Sequence, residues 1–381
     1  MRGHYAMKRL IVTALFLVAM VGWSGCFAAQ TDMDFTAGFH YDWWDNDNDD
    51  RGMQLSVPIE VESAYRDISI ELLGAYVYTS VNLSGQSARS LSDFVDTKLN
   101  FSYEILDRFP VDILLGLGLN LPTGHTDLKQ RDLILITIPE LVSITTFGEG
   151  FNVNPVISLT KQWDAWVAGI GLGYLWRGEY DYSTGVENYD PGEALTLTAE
   201  LGYEISPSWY ARAFGEYITY DEDEVDGEKF YQEGDILLFG LGAEYSGTDW
   251  AMVFSMHSIF RDKSKFRQGT ILPSEEHNSH GDEWIGEVAY LYFPNNETTL
   301  KAGFELLWLD ENAYPADSSF YVGQRQKYTL GCGVTQALRE NVKGSLDIKG
   351  FYIDDEKNWY HPEEDYAYKG FSIAGNLYFS F

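Results

Sequence analysis

Cysteine is almost absent: the 381 residues hold only Cys26 and Cys332. No disulfide framework can staple such a chain, so stability must come from burial and backbone pairing. Positive charge is scarce too, with 26 Lys and Arg against 58 Asp and Glu and a net charge of −32. That balance argues against nucleic acid and anionic membrane surfaces as partners. After residue 29 no apolar run reaches the roughly 20 residues of a membrane helix. A chain that crosses a bilayer without such helices must satisfy its backbone between strands, as a closed barrel. Disorder does not fit, because Phe, Tyr and Trp make up 15% of the chain.

What is present begins with a leader. Arg2, Lys8 and Arg9 precede an apolar run over 10–21, and small residues follow up to Ala29. This is the layout of a secretory signal peptide, with Cys26 and Ala28 at the −3 and −1 positions of a cut after Ala28. The expected organisation is a signal peptide over 1–28 and a single barrel domain over 29–381, with no plug domain before the first strand. Cleavage would make the net charge about −35. Ser24-Gly25-Cys26 also looks like part of a lipoprotein box, so acylation of Cys26 is the alternative.

The dominant pattern has period two. Met53, Leu55, Val57, Ile59 and Val61 alternate with Gln54, Ser56, Pro58 and Glu60. One apolar and one polar face is what a strand between lipid and water requires, and a helix would space its apolar residues differently. The pattern predicts strands near 33–44, 53–61, 68–80, 93–105, 111–121, 151–161, 165–177 and 193–205. It continues near 209–220, 236–245, 250–261, 282–293, 298–309, 325–336, 342–352 and 369–381. Phe35, Phe39, Tyr41, Trp43, Ile68, Ile70, Leu72, Val95, Leu99 and Phe101 are expected on the outer face.

Short connections alternate with long ones such as 45–52, 122–150 and 262–281. Outward Trp166 and Trp176 lie ten residues apart, which at ~3.3 Å per residue and a tilt of ~40° covers ~25 Å. The expected fold is therefore all-β, a transmembrane antiparallel up-and-down barrel of about sixteen strands, fourteen to eighteen being admissible. The location implied is the outer membrane of a Gram-negative bacterium. The last strand ends in Phe381, which resembles the C-terminal signal read by the barrel-insertion machinery.

Charges at mid-depth must face the lumen, because lipid would make each cost several kcal/mol. Parity puts Glu60, Glu62, Glu71, Asp96, Glu104, Glu200, Glu204, Glu216, Glu244, Glu283, Glu287, Glu305 and Asp347 inward. The inward bases are Lys98, Arg177, Arg212, Arg261, Lys301, Lys327, Lys343 and Lys349. Acids outnumber bases, so a continuous pore would favour cations. Gly116, Gly118, Gly169, Gly171, Gly173, Gly240 and Gly242 also face inward, either to admit a folded-in loop or to relieve a curved sheet. The stretch 133–141 is too apolar for an exposed outer loop. It either folds into the lumen as a constriction through Leu133, Ile134, Ile136 and Pro139, or adds a hairpin to the wall.

Gly116-Leu117-Gly118-Leu119-Asn120-Leu121-Pro122-Thr123-Gly124, then Phe147-Gly148-Glu149-Gly150, then Gly171-Leu172-Gly173-Tyr174, resemble in order an outer-membrane transporter family. That family is tied to meta-cleavage degradation of phenol and other aromatics. The resemblance covers about a third of the chain and implies passive uptake of small, often hydrophobic, molecules. It carries no functional residues onto these positions.

Other chemistry is thinly supported. Acidic runs such as Asp45-Asn46-Asp47-Asn48-Asp49-Asp50 and Glu363-Glu364-Asp365 suit hard cations, but the first lacks the spacing and terminal Glu of a calcium loop. His257 and Ser258 fall on opposite faces of one strand, with no Asn at the position a lipase-like triad needs. His40, His277, His280 and His361 are rim histidines near many acids, where chance neighbours are common. No catalytic, cofactor or metal residue is assigned. Expected partners are outer-membrane lipid and lipopolysaccharide, a small solute and the insertion machinery. The rivals to a porin-like channel are a sealed structural or adhesive barrel and an outer-membrane hydrolase.

Overall fold

The structure, a computed structural model, describes residues 32–129, 132–133, 135, 140–357 and 365–381. The leader 1–28, the constriction candidates Ile134, Ile136 and Pro139, and the rim residues His361, Glu363 and Glu364 lie outside the described residues. Numbering barrel strands in chain order, β1 is Asp32–Asn46, β2 Arg51–Tyr65 and β3 Ile68–Asn82. β4 comes in two pieces, Arg89–Phe94 and Thr97–Ile105. β5 is Asp112–Leu121, β6 Asn152–Trp163, β7 Trp166–Arg177 and β8 Ala194–Ser206. β9 is Trp209–Tyr220, β10 Ile236–Ser246, β11 Trp250–Arg261 and β12 Glu283–Asn295. β13 is Thr298–Leu309, β14 Arg325–Arg339, β15 Val342–Asp355 and β16 Tyr366–Ser380.

Each strand pairs antiparallel with the next. β16 pairs back onto β1 from Asp34↔Ser380 to Asn46↔Tyr368, so the sixteen strands close. Closure satisfies the backbone at every edge, which is the condition for crossing lipid without helices. The period-two pattern sets the faces. Leu55, Val57, Ile170, Leu172, Leu197, Phe239 and Leu241 are exposed on the outside, while Asp42, Gln54, Val77, Thr79 and Asp355 are buried on the inside. Aromatic pairs ring the end with short turns: Trp166–Tyr203 at 4.4 Å, Trp209–Tyr245 at 5.1 Å and Tyr245–Trp250 at 4.3 Å between ring centres. Phe151–Trp176 and Phe260–Trp284 sit at the other end. Such girdles mark the two water–lipid boundaries of an outer-membrane barrel.

Three local features depart from the sequence pattern. The connection expected over 45–52 is only 47–50, because the Asn46 side chain accepts from the Asn48 and Asp50 amides and ties the hairpin. Val95, expected outward, instead packs on the lumenal cluster of Ala75, Val77 and Phe147. The cause is one extra residue: Tyr76 faces Phe94 but Leu72 faces Leu99, so β4 bulges and its parity inverts at Val95–Asp96. Beyond the wall, Tyr189–Asp190, Asp223–Val225, Glu228–Gln232 and Lys265–Phe266 form a small sheet among the long loops on the β7–β12 side.

Candidate functional site

The connection between β5 and β6 turns into the lumen. Leu135 and Leu141 are buried against Trp44, Val81, Phe351, Ile353 and Tyr368, all inward residues near the outer ends of β1, β3, β15 and β16. Deeper in, Phe147 packs on Ala75 and Val77 of β3. No added hairpin extends the wall among the described residues. Leu133 lies half-buried in the same connection.

Polar contacts fix the path of the connection. Asp42 Oδ2 accepts from the Ser143 amide at 3.1 Å and hydroxyl at 2.7 Å, and its Oδ1 accepts from Ser372 at 2.6 Å with His40 at 2.9 Å. Gln54 makes a two-way amide bond with Ile144, donating at 2.7 Å and accepting at 2.8 Å. Arg325 bridges Asp355 at 2.8 Å and Glu140 at 3.0 Å, and Lys327 donates to the Glu140 carbonyl at 2.7 Å. Burying these groups costs little because nearly all find partners.

The two ends of the connection meet at Asp96. This carboxylate accepts from Asn120 at 2.7 Å, the Gly124 amide at 2.8 Å and the Glu149 amide at 2.7 Å. The Asp96 amide donates in turn to the Phe147 carbonyl at 2.9 Å. A Cβ on Gly124 would sit 1.9 Å from that carbonyl, so only glycine passes here. Asn120-Leu121-Pro122-Thr123-Gly124 and Phe147-Gly148-Glu149-Gly150, which belong to two of the three parts of the family-like signature, are thus one anchor for the folded-in segment.

The other inward candidates are spread along the strands. Glu71 accepts from Asn100 at 2.8 Å, and Glu60 lies beside it across from Leu73. Lys98 and Glu104 project from the inner face of β4. Arg212 lies 3.8 Å from Glu200, Arg261 3.1 Å from Glu283, and Lys301 2.5 Å from Asp347. Glu287 faces Glu305 directly across β12 and β13, Glu216 and Glu244 lie on β9 and β10, and Lys343 sits near the short-turn end of β15. Arg177 sits at the outer rim opposite Asn152. Asp96 is a loop anchor rather than a free lining group. Asp42, Gln54, Ser143, Arg325 and Ser372 were not candidates from sequence.

The wall opposite the segment has a different surface. Gly169 and Gly171 of β7, with Ser158, Thr160 and Thr198, line a recess of about 410 Å³ that also meets Glu200 and Arg212, and Gly173 follows on the same strand face. Among the described residues, these glycines have no part of the folded-in segment against them. Gly240 makes room for the ring of Phe214, which would otherwise lie 2.2 Å from a Cβ, as glycines in curved sheets commonly do for a facing aromatic.

Above this wall, Tyr180, Tyr182 and Tyr189 form a cluster with ring centres 5.6–6.5 Å apart. Burial, then the neighbouring carboxylates of Glu149 and Asp223, push the Tyr180 and Tyr189 phenols above their ordinary range. Burial and Glu311 push Tyr321, on another outer loop, up to about 12. These hydroxyls therefore stay neutral donors at physiological pH.

Candidate reactive groups are dispersed. His257 faces inward opposite Gly240, whereas Ser258 faces outward opposite Phe239. His277 lies 4.0 Å from Glu276, and His280 3.6 Å from Glu233. No group of three or more His, Cys, Asp or Glu side chains able to hold a metal occurs among the described residues.

A family model described as "Putative MetA-pathway of phenol degradation" matches residues 27–265. Among solved structures, Acinetobacter baumannii OccAB1 is similar at 10% identity and a TM-score of 0.48, over 92% of this chain and 97% of that one. Pseudomonas aeruginosa OprD is similar at 9% identity and a TM-score of 0.44, over 92% and 95%. No curated protein matches the chain in sequence.

Proposed function

The chain belongs to the family described as "Putative MetA-pathway of phenol degradation", and from that premise we propose passive passage of small solutes, aromatic compounds included, through the barrel. The observation that carries the proposal is the uneven lumen. A sixteen-stranded barrel is too wide for wall side chains to fill. Here the β5–β6 segment occupies one side, and glycines and small hydroxyl side chains line the other. A solute path then runs between the segment and the β6–β10 wall, past the ion pair of Arg212 and Glu200.

The apolar exterior and aromatic girdles favour direct contact with outer-membrane lipid. Lipopolysaccharide contact through the outer loops and recognition of Phe381 during insertion belong to the same proposal. Export through the leader 1–28 does too, and mass spectrometry of the mature N-terminus tests it. The test of passage is reconstitution in planar bilayers. Steady single-channel steps in KCl are expected, and liposomes containing the protein should admit small aromatics faster than empty ones. A folded barrel with neither property is a sealed one, and the proposal fails.

A further inference from the structure

Beneath the folded-in segment lies a recess of about 240 Å³, bounded by Leu141 and Ser143 above and by Lys327, Lys349, Phe351 and Ala374 on the wall. Most acids that reach it are already engaged. Asp42 is held by Ser143 and Ser372, Glu140 by Arg325, and Asp347 by Lys301. The lysines are not matched in this way. Lys327 donates to a neutral carbonyl, and its ammonium lies 5.0 Å from the centre of the Phe351 ring. Lys349 has no hydrogen bond or ion pair among the described residues. Two acids of the recess have no lysine or arginine in ion-pair contact among the described residues: Glu305, which accepts from Thr329 at 3.4 Å, and Asp42, whose oxygens are taken by Ser143, Ser372 and His40.

Glycine shapes the place. A Cβ on Gly331 would lie 3.1 Å from Lys349 Cγ, and one on Gly370 2.3 Å from the Phe351 ring. The absence of side chains at these two positions leaves room for the lysine stem beside Gly331 and for the ring beside Gly370. The result is a patch with an aromatic edge and two ammonium groups, inside a lumen whose inward charges are mainly acidic. Charge of this kind attracts an anion, and the apolar edge favours one that carries a hydrocarbon body.

We infer that this recess is a subsite for a small organic monocarboxylate, with its carboxylate at Lys349 and Lys327 and its apolar or aromatic body against Phe351, Leu141 and Ala374. The inference rests on the passage reading and narrows its substrate class. It also runs against the cation preference that the bulk count of inward charges suggests. A small inorganic anion would use the lysines but not the apolar edge.

The probe is sodium benzoate, with benzyl alcohol as a neutral body of similar size and sodium chloride as an anion without one. In planar bilayers, benzoate should interrupt the KCl current of the intact barrel at concentrations where benzyl alcohol does not. Lys349→Gln should weaken the interruption by at least about tenfold. Lys343→Gln, inward but far from the recess, should change it less than about twofold. Heat-modifiable gel migration checks that each variant is folded. Equal interruption by benzyl alcohol, or equal benzoate sensitivity in Lys349→Gln, overturns the subsite. A barrel without KCl current overturns the passage reading separately. The subsite is then read from benzoate line broadening by detergent-solubilised barrel, where wild type must exceed Lys349→Gln or the inference falls.

Discussion

Two walls of one barrel obey the same outward rule and opposite inward ones. On β1–β4 and β14–β16 the inward residues near the outer end are Trp44, Val77, Val81, Ile353 and Tyr368, interspersed with Asp42, Gln54 and Arg325. They resemble the interior of a soluble domain, and a chain segment buries them. On β6–β10 the inward residues around the recess are, apart from Phe214, small or charged, Gly169, Gly171, Thr160, Thr198, Glu200 and Arg212, and they face open space. The lipid side constrains every strand alike, so it carries no record of this division. The inward face is where the protein differs from a plain pipe. Its chemistry follows from whether a segment or water is the neighbour.

The sharpest way to break the contrast is to remove residues 132–141. Conductance should then rise about twofold or more, since the lumen regains most of its width. A folded barrel with unchanged conductance would put the segment outside the path. Next comes Asp96→Ala, which leaves three donors at the two ends of the segment without their acceptor. Unsatisfied buried donors cost ~1–3 kcal/mol each. Amide exchange at Gly124 and Glu149 should accelerate by about tenfold or more, with a noisier current, while the wall strands stay protected. The opposite sign is expected on the open wall. At Gly169 a Cβ meets nothing nearer than Thr160 Oγ1 at 3.6 Å, so Gly169→Trp is tolerated and projects into the path. It should lower conductance by a factor of about one and a half to two without changing thermal stability. The smallest effect is that of Ser143→Ala. It loses a hydroxyl donor to Asp42 but keeps the amide, for about 1 kcal/mol of segment docking and little change in current.

The wall was legible because parity is a strict code. Leu55, Val57, Trp166 and Trp176 face lipid as the alternation requires. The code fails at Val95 because a single inserted residue inverts every face until pairing resumes at Thr97, and one chain offers no mark of a bulge. The apolar run 133–141 announced that something unusual sits in the β5–β6 connection, but its destination was not readable. One signal could have located it. Trp44, Val77, Val81 and Ile353 are apolar at inward positions, which a wet lumen does not explain, and they cluster near the outer ends of their strands. Asp42 was missed for the opposite reason. An inward acid looks ordinary in so acidic a chain, and only contacts distant in sequence show that it is fully occupied.

Asp42 also lies on the seam where β1 meets β16. Ser372 reaches it across that seam, and Ser143 reaches it from the segment within. Strands β1 and β16 are far apart in sequence, so their pairing has the largest loop-closure entropy of any in the sheet. Until they meet, the growing sheet has two open edges able to capture another chain. A β1 carboxylate that takes one hydroxyl from β16 and one from the segment rewards closure most when the segment is already seated. Sealing the cylinder and threading its interior thus become a single cooperative event. A weakened latch should appear first in assembly, as slower folding into lipid and more aggregation, before it is seen in the finished barrel.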